Sequence, residues 1–237
     1  MKRPYELTAV FWHAVGLDVT TILGELHALV PELRICSPML SDWLLKGNTK
    51  AEAFLYEAFG PAGPTNAAIT ALTEALRHDI DPRIVSMWNG REGSEGASLQ
   101  YVGRLAPEKS MVVLRAKPGA FGKDWKLIAS LLYKSAELWR PTMVTIDAAG
   151  YVDKKVFRDR PGVGWMLYLP RVLTVQQVPE ARALLPVLGA GNKQIGTIIV
   201  SVIDAPFSDE NPDHVKIANA IEIRLVDQDL LPRYADL

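Results

Sequence analysis

Strand-like runs that follow one another without an intervening helix most constrain how this chain can fold. Arg83–Trp88, Leu99–Arg104 and Met111–Ala116 are short, apolar or β-branched segments, and Asn89-Gly90 opens the connection between the first two. Strands joined by such connections pair in the antiparallel sense. A doubly wound parallel sheet needs a helix after each strand, so this order predicts an α+β fold with mixed, largely antiparallel sheets and packed helices.

Apolar periodicity and capping residues place the other elements. Further strands are predicted at Tyr5–Trp12, Thr142–Ile146, Val163–Leu169 and Ile195–Ile203. A first helix is predicted over Val19–Leu29, with a cap at Asp18 and a limit at Pro31, and a second begins after a cap at Thr65 or Asn66. A third helix is predicted over Asp124–Trp139, and a last one from Asn211-Pro212 to about Leu230. Pro179–Leu185 is predicted to form a helical turn or a short helix. A strand followed by a helix occurs in both halves, so a single domain over 1–237 can contain two similar subdomains with a junction at 91–97.

Charge and composition exclude several classes of partner. The 237 residues carry a formal net charge of -1, and a nucleic-acid-binding protein usually needs a basic excess. No apolar run approaches the roughly 20 residues of a membrane span. The one cysteine, Cys36, cannot form an intrachain disulfide and is expected to be a small buried hydrophobe. We therefore expect a cytoplasmic protein that binds neither nucleic acid nor membrane.

Motifs of known catalytic sites are absent from the sequence. The four histidines, His13, His27, His78 and His214, form no zinc-binding pattern. The sequence contains no phosphate-binding loop and no nucleophile elbow. We therefore predict no catalytic residue, no metal, no cofactor and no enzymatic activity. The alternative left open is a small enzyme with a carboxylate site formed by Asp147, Asp153 and Asp204.

Two aromatic segments carry a resemblance to a known family. They are Ser41–Gly47 (SDWLLKG) and Arg160–Pro170 (RPGVGWMLYLP), with the strand Leu7–Trp12 before them and Gly196–Val200 and a terminal helix after them. In this order they resemble bacterial immunity protein family 52. The resemblance implies a protein that binds and neutralises a toxin encoded beside it. Such toxins are typically effectors with a restriction-endonuclease-like nuclease domain, often delivered by a type VI secretion system (T6SS).

The predicted toxin-contact residues are one aromatic residue and four acidic ones. Trp88 lies beside a loop, and large aromatic side chains are frequent binding hot spots. Acidic groups would suit the basic DNA-binding face of a nuclease and would speed association. The net charge of -1 argues against an inhibitor that acts purely by mimicking DNA. Inhibition of the toxin by a complementary shape or by an allosteric effect therefore stays open. The alternative function is a structural or assembly protein of a phage-like secretion machine. The predicted acidic contacts are Glu92, Glu95, Asp209 and Glu210.

Overall fold

The computed structural model describes residues 3–12, 18–47, 52, 55–77, 82–103 and 109–237, so Arg104, His13 and His78 lie outside the described residues. Eight strand pairings are antiparallel among the described residues, which confirms the predicted α+β class. The elements in chain order are β1 (Tyr5–Trp12), α1 (Val19–Cys36), β2 (Leu44–Leu45), β3 (Phe59–Gly60), β4 (Gly63–Pro64), α2 (Asn66–Ala75), β5 (Arg83–Trp88), β6 (Ala97–Gly103), β7 (Lys109–Ala116), α3 (Trp125–Trp139), β8 (Met143–Ala148), β9 (Met166–Leu169), β10 (Ala183–Leu188), β11 (Gln194–Val200) and α4 (Pro212–Asp227).

The chain divides into two compact units. The first consists of Met1–Val10 and Lys123–Leu237, and the second is Phe11–Gly122. The predicted junction at 91–97 lies inside the second unit, where it joins the paired strands β5 and β6. A single immunity-type domain over 1–237 stays a prediction.

In the first unit, a sheet lies between two helices. Its strand order is β10-β11-β9-β8-β1, with residues 5–10 of β1 belonging to this unit. Leu167 and Ile199 pack in one core cluster with Ile221 and Leu225 of α4. The neighbouring residue Tyr168 is buried on the opposite face, where α3 contacts β8, β9 and β11. Because both faces are covered, nearly every side chain of β8 and β9 is buried.

In the second unit, the sheet order is β7-β6-β5-β2, and alternate residues divide between two faces. Val85, Leu99 and Tyr101 are buried on the inner face. Burial raises the pKa of Tyr101, a hydrogen bond with Ser110 opposes this rise, and the charge of Glu25 in α1 adds to it. Phe11 packs against Tyr101 with ring centroids 6.1 Å apart, which places the last residues of β1 in the same core.

Capping side chains fix the start of all four α-helices described, and the caps of α1, α2 and α4 are those that the sequence predicts. Asp18 accepts from Thr21 N at 3.0 Å, and Thr65 accepts from Ala68 N at 3.1 Å. Asp124 and Asn211 act in the same way at α3 and α4, where they accept from the backbone at 2.9 and 3.0 Å. Each cap satisfies a backbone N–H that has no partner within the helix.

The predicted end of the first helix is wrong, because α1 continues through Pro31 to Cys36. Leu33 and Cys36 are buried, and they extend the apolar stripe past the proline. Burial of this stripe outweighs the backbone hydrogen bond that Pro31 cannot donate. The expectation that Cys36 is buried is confirmed.

The helix or helical turn predicted over Pro179–Leu185 is also wrong. The chain forms turns at 175–177 and 179–180 and then enters β10, which pairs with β11 from Ala183 to Leu188. Pro186 fits this strand because β10 is the edge of its sheet. Pro179 is suited to the first turn of a helix, but pairing with β11 makes the following residues a strand.

Replacing the exposed Pro31 with alanine tests the account of α1. We expect Pro31→Ala to raise the free energy of unfolding by about 1 kcal/mol or more, because alanine restores a donor inside the helix. Urea unfolding followed by circular dichroism measures the change. Thr20→Ala, at another exposed position of α1, should stay within about 0.5 kcal/mol of the wild type. Destabilisation by Pro31→Ala would contradict the account.

Candidate functional site

The predicted contact residues of the second unit surround a loop that is fixed from within. The side chain of Asn89 donates to the carbonyls of Met39 and Glu95 at 2.9 and 2.8 Å, and it accepts from Ala97 N at 2.8 Å. The loop is also anchored by Gly119 N, which donates to the carbonyl of Ser94 at 3.0 Å. Sequence reasoning noted Asn89 only as a turn residue, and it missed this bonding.

Glu92 and Glu95 are exposed on this loop, and Trp88 is half-buried at the end of β5. Glu95 forms an ion pair with Arg91 at 3.2 Å. The exposure of both glutamates suits a contact surface. The part of all three residues in toxin binding stays a prediction.

Trp88 belongs to a sheet face of the second unit that we call the open sheet face. Cross-strand pairs align Ile84 with Val102 and Val102 with Met111, whereas Trp88 aligns with Ser98. These positions alternate with the buried ones of the inner face. The open sheet face consists of Trp12, Leu44, Ile84, Ser86, Trp88, Ser98, Gln100, Val102, Lys109, Met111, Val113 and Arg115, of which Val113 is buried.

Apolar and aromatic side chains of the open sheet face are accessible to solvent. Trp12 is 56% exposed and Ile84 is 48% exposed. The ammonium group of Lys109 lies 5.6 Å from the centroid of the Trp12 ring. Sequence reasoning missed this face, although the alternation of residues in β5 and β6 is its signal.

The predicted contacts of the first unit precede α4, and their environments differ. Glu210 is exposed, but Asp209 is only 8% exposed. The Asp209 carboxylate and the Arg3 guanidinium both lie against Gly150, so that a Cβ there would collide with both side chains. Lys154 donates to the Asp209 carbonyl. The surroundings of Asp209 thus fix the start of α4, and its contact with a toxin stays a prediction.

Two hollows border α4. One of about 580 Å³ is lined by Asp209, Glu210, Val215 and the 44% exposed Ile223. The other, of about 800 Å³, is lined by Arg182, Asp204, Asp213, His214 and Lys216 among others. His214 accepts from Ser208 N at 3.0 Å through Nδ1, so the ring holds the loop before α4.

A buried carboxylate on α4 organises the aromatic segment Arg160–Pro170. Glu222 is 1% exposed, and its two oxygens accept from Tyr151 Oη at 2.6 Å, Val156 N at 2.8 Å and Val163 N at 3.0 Å. Burial raises the pKa of Glu222, whereas these donors oppose that rise. The helix α4 therefore contacts the segment through the hydrogen-bonded carboxylate of Glu222 as well as through apolar packing.

The remaining polar groups of the segment are also used within the fold. Arg160 donates to the carbonyl of Leu231. Trp165 is fully buried and donates to the carbonyl of Val202 at 3.0 Å. Gly164 has a φ of +50°, and a Cβ there would lie 2.2 Å from Asp147 Cβ. Glycine is therefore required where the segment crosses β8.

Asp147 faces Glu6 across the pair β1–β8. Burial, followed by the charge of Glu6, raises the pKa of Asp147 to about 8, while Lys155 acts in the opposite direction. Like charges on opposite cross-strand positions are unfavourable when both are ionised. Near neutral pH, Asp147 is thus largely protonated.

Within the described residues, no group of three or more His, Cys, Asp or Glu side chains could hold a metal ion. Asp147, Asp153 and Asp204, the carboxylates of the enzymatic alternative, therefore form no such group. No described helix combines the length and the apolar character needed to cross a membrane.

Removing the carboxylate of Glu222 tests its place in the fold. Glu222→Ala leaves the backbone N–H groups of Val156 and Val163 without their acceptor, whereas Tyr151 Oη keeps Asn219 Oδ1 at 2.8 Å. Each buried unsatisfied donor costs about 1–3 kcal/mol, so we expect a loss of about 2–5 kcal/mol in the free energy of unfolding. Urea denaturation measures this loss. The matched control is Glu210→Ala, an exposed residue before the same helix, for which a change within about 0.5 kcal/mol is expected. Equal effects of the two substitutions would refute the assignment.

Asp147 predicts a pH dependence of stability. Its pKa in the folded chain, about 8, lies above its ordinary value, so the folded state binds the proton more tightly. The contribution of Asp147 to stability therefore decreases as the pH rises from about 4 to about 8. Asp147→Asn removes this decrease, so its stability relative to the wild type should increase across urea titrations at pH 5, 6, 7 and 8. Asp153→Asn alters an exposed carboxylate, so its free energy of unfolding should change with pH in parallel with that of the wild type. The same parallel pH dependence for Asp147→Asn would contradict the prediction.

No protein-family model matches the chain, and no curated protein matches it. Among solved structures, the chain is similar to a Pseudomonas aeruginosa protein named T6SS protein PA0821, with a TM-score of 0.52 and 11% sequence identity. The match covers 92% of this chain and 75% of that chain. At this level of identity, the likeness establishes a shared fold over most of both chains.

Proposed function

We propose that this chain is an immunity protein that binds and neutralises a cognate bacterial toxin of a type VI secretion system. The observation that carries the proposal is the fold shared with a T6SS protein over 92% of the chain. The resemblance of Ser41–Gly47 and Arg160–Pro170 to bacterial immunity protein family 52 points in the same direction. The two arguments are independent, because one rests on backbone geometry and the other on short sequence motifs.

The use of polar groups supports a function in binding rather than in catalysis. Glu222 accepts from three donors within the fold, and His214 accepts from the backbone of Ser208. Such groups position loops and helices, and a catalytic group must instead reach a substrate. We propose that the chain has no enzymatic activity and acts in the cytoplasm by forming a complex.

The exposed features suit contact with a protein. Ile223 borders a hollow beside α4, and the charges of Glu210, Glu92 and Glu95 are accessible. Partly apolar surfaces with charged surroundings are typical of specific interfaces, which bury about 1,600 Å² in total. For the toxin we propose a nuclease effector of the restriction-endonuclease-like class, blocked by covering its surface or by an allosteric effect.

The T6SS likeness equally fits a structural or assembly protein of the secretion machine. That protein would form higher-order oligomers in the absence of a toxin. Multi-angle light scattering of the purified chain separates the two functions, because the immunity function expects a defined small species that gains mass when the toxin is added.

Co-expression with the product of the neighbouring gene tests the proposal. We expect a stable complex on co-purification and restored growth of cells that produce the toxin. A toxic neighbour that this chain neither binds nor neutralises would refute the immunity function.

Charge reversal then tests the predicted acidic contacts. Changing Glu92, Glu95 and Glu210 to lysine should slow association by about tenfold at low salt, because the attraction to a basic partner becomes repulsion. Asp209 is left intact because its reversal would disturb a buried position. Surface plasmon resonance gives the rates. A matched control reverses three other exposed acids, and equal rates for the two triple variants would exclude the acidic contacts. The control residues are Asp42, Glu74 and Asp227.

A further inference from the structure

The backbone at Val163 and Gly164 lies between two acidic side chains of the first unit. Val163 N donates to Glu222 of α4 at 3.0 Å, and a Cβ on Gly164 would lie 2.2 Å from the Cβ of Asp147 on β8. The same Cβ would lie 3.1 Å from Asp147 Oδ2, so the glycine closely covers this carboxyl group. The backbone here thus contacts one carboxyl group from the helix and one from the sheet.

The two carboxyl groups differ in their hydrogen bonds. Glu222 accepts from Tyr151 Oη and from the backbone of Val156 and Val163, whereas no described residue donates to the side chain of Asp147. Donors stabilise a carboxylate that is removed from water, and without them the protonated form is favoured. The arrangement therefore favours a proton on Asp147 more than on Glu222.

The surroundings of Asp147 also oppose its ionisation. Burial raises the pKa of Asp147 to about 8, the acidic groups around it add to the rise, and Lys155 opposes it. Lys155 acts on Glu222 as well, so this ammonium group serves both carboxyl groups once Asp147 is ionised. The charged and titratable groups that face Asp147 are Glu6 of β1, Tyr151, Lys155, Asp209 and Glu222 of α4.

We propose that Asp147 makes the attachment of residues 156–164 to α4 sensitive to pH. While Asp147 carries its proton, this segment stays closed between β8 and the helix. Loss of the proton leaves a carboxylate without a donor beneath Gly164, and this charge is relieved when the segment moves away and admits water. The inference goes beyond the proposed function and does not depend on it, because it concerns an opening of the first unit alone.

Linkage between the proton and the opening gives the size and the direction of the effect. In the opened form Asp147 is in water, where the pKa of an aspartate is about 4. Between that pH and about 8, only the opened form readily releases the proton. Each unit of pH in this range therefore favours the opened form by up to about tenfold.

Hydrogen–deuterium exchange of the full chain, followed by NMR, tests the proposal. The amides of Val156 and Val163 report on the opening, because both donate to Glu222. Their protection factors, corrected for the intrinsic exchange rate at each pH, should fall at least about tenfold between pH 6 and pH 8. The amide of Ala97, which donates to Asn89 Oδ1 in the second unit, should keep its protection.

Two variants assign the effect to one carboxyl group. Asp147→Asn has nearly the same size and cannot ionise, so the protection factors of Val156 and Val163 should no longer fall with pH. The matched control, Asp153→Asn, removes an exposed carboxylate before the same segment and should behave like the wild type.

Three exchange results would overturn the inference. They are constant protection in the wild type, the same fall in Asp147→Asn, and an equal fall at Ala97, which would indicate global unfolding. A fall confined to Val156 and Val163, present in the control and absent from Asp147→Asn, supports it. Carbon-13 NMR of the Asp147 carboxyl group in the wild type needs no variant: a titration midpoint near 4 overturns the inference, and a midpoint well above this value supports it.

Discussion

The first unit depends on the carboxylate of Glu222. Its three donors, Tyr151, Val156 and Val163, lie on a stretch between β8 and β9 that contains only a short 3₁₀ helix, Ala149–Asp153, as regular structure. Backbone N–H groups buried in such a stretch need acceptors, and no sheet or helix provides them there. One side chain from α4 supplies that acceptor, and it thereby attaches the irregular stretch to the helix that covers the sheet.

This attachment determines what the aromatic segment does. Arg160–Pro170 is rich in aromatic and glycine residues, and its side chains from Arg160 to Leu169 are buried. Its glycines allow close approach to Asp147 and Tyr151, and Trp165 fills the core. The segment is thus a support for α4 and the hollows beside it. A binding protein profits from such rigidity, because a surface that is already ordered loses less entropy on association.

The sequence predicts those features that are encoded locally. The helix starts follow from Asp18, Thr65, Asp124 and Asn211, whose short polar side chains cap the helices in a way that depends only on neighbouring residues. Features that depend on distant partners were missed. Pro31 sits inside a helix because tertiary burial outweighs its local preference, and Glu222 reads as an ordinary polar residue of an amphipathic helix until its donors, about 60 to 70 residues away, are known. Glu92, Glu95 and Glu210 are exposed as a contact residue must be, whereas the burial of Asp209 required the fold.

Net charge is a poor guide to the binding surface of this chain because its charges are unevenly distributed. Acidic side chains occupy the loop after β5, and the basic side chains of Lys109 and Arg115 lie on the open sheet face. A protein that mimics DNA would need an extended acidic surface, and Lys109 and Arg115 are incompatible with this on their face. Affinity would then come mainly from apolar burial and shape, with charge deciding which partner binds and in which register. Such a complex is expected to form at an ordinary rate and to persist through slow dissociation, since charge steering chiefly affects association whereas buried contacts chiefly affect dissociation.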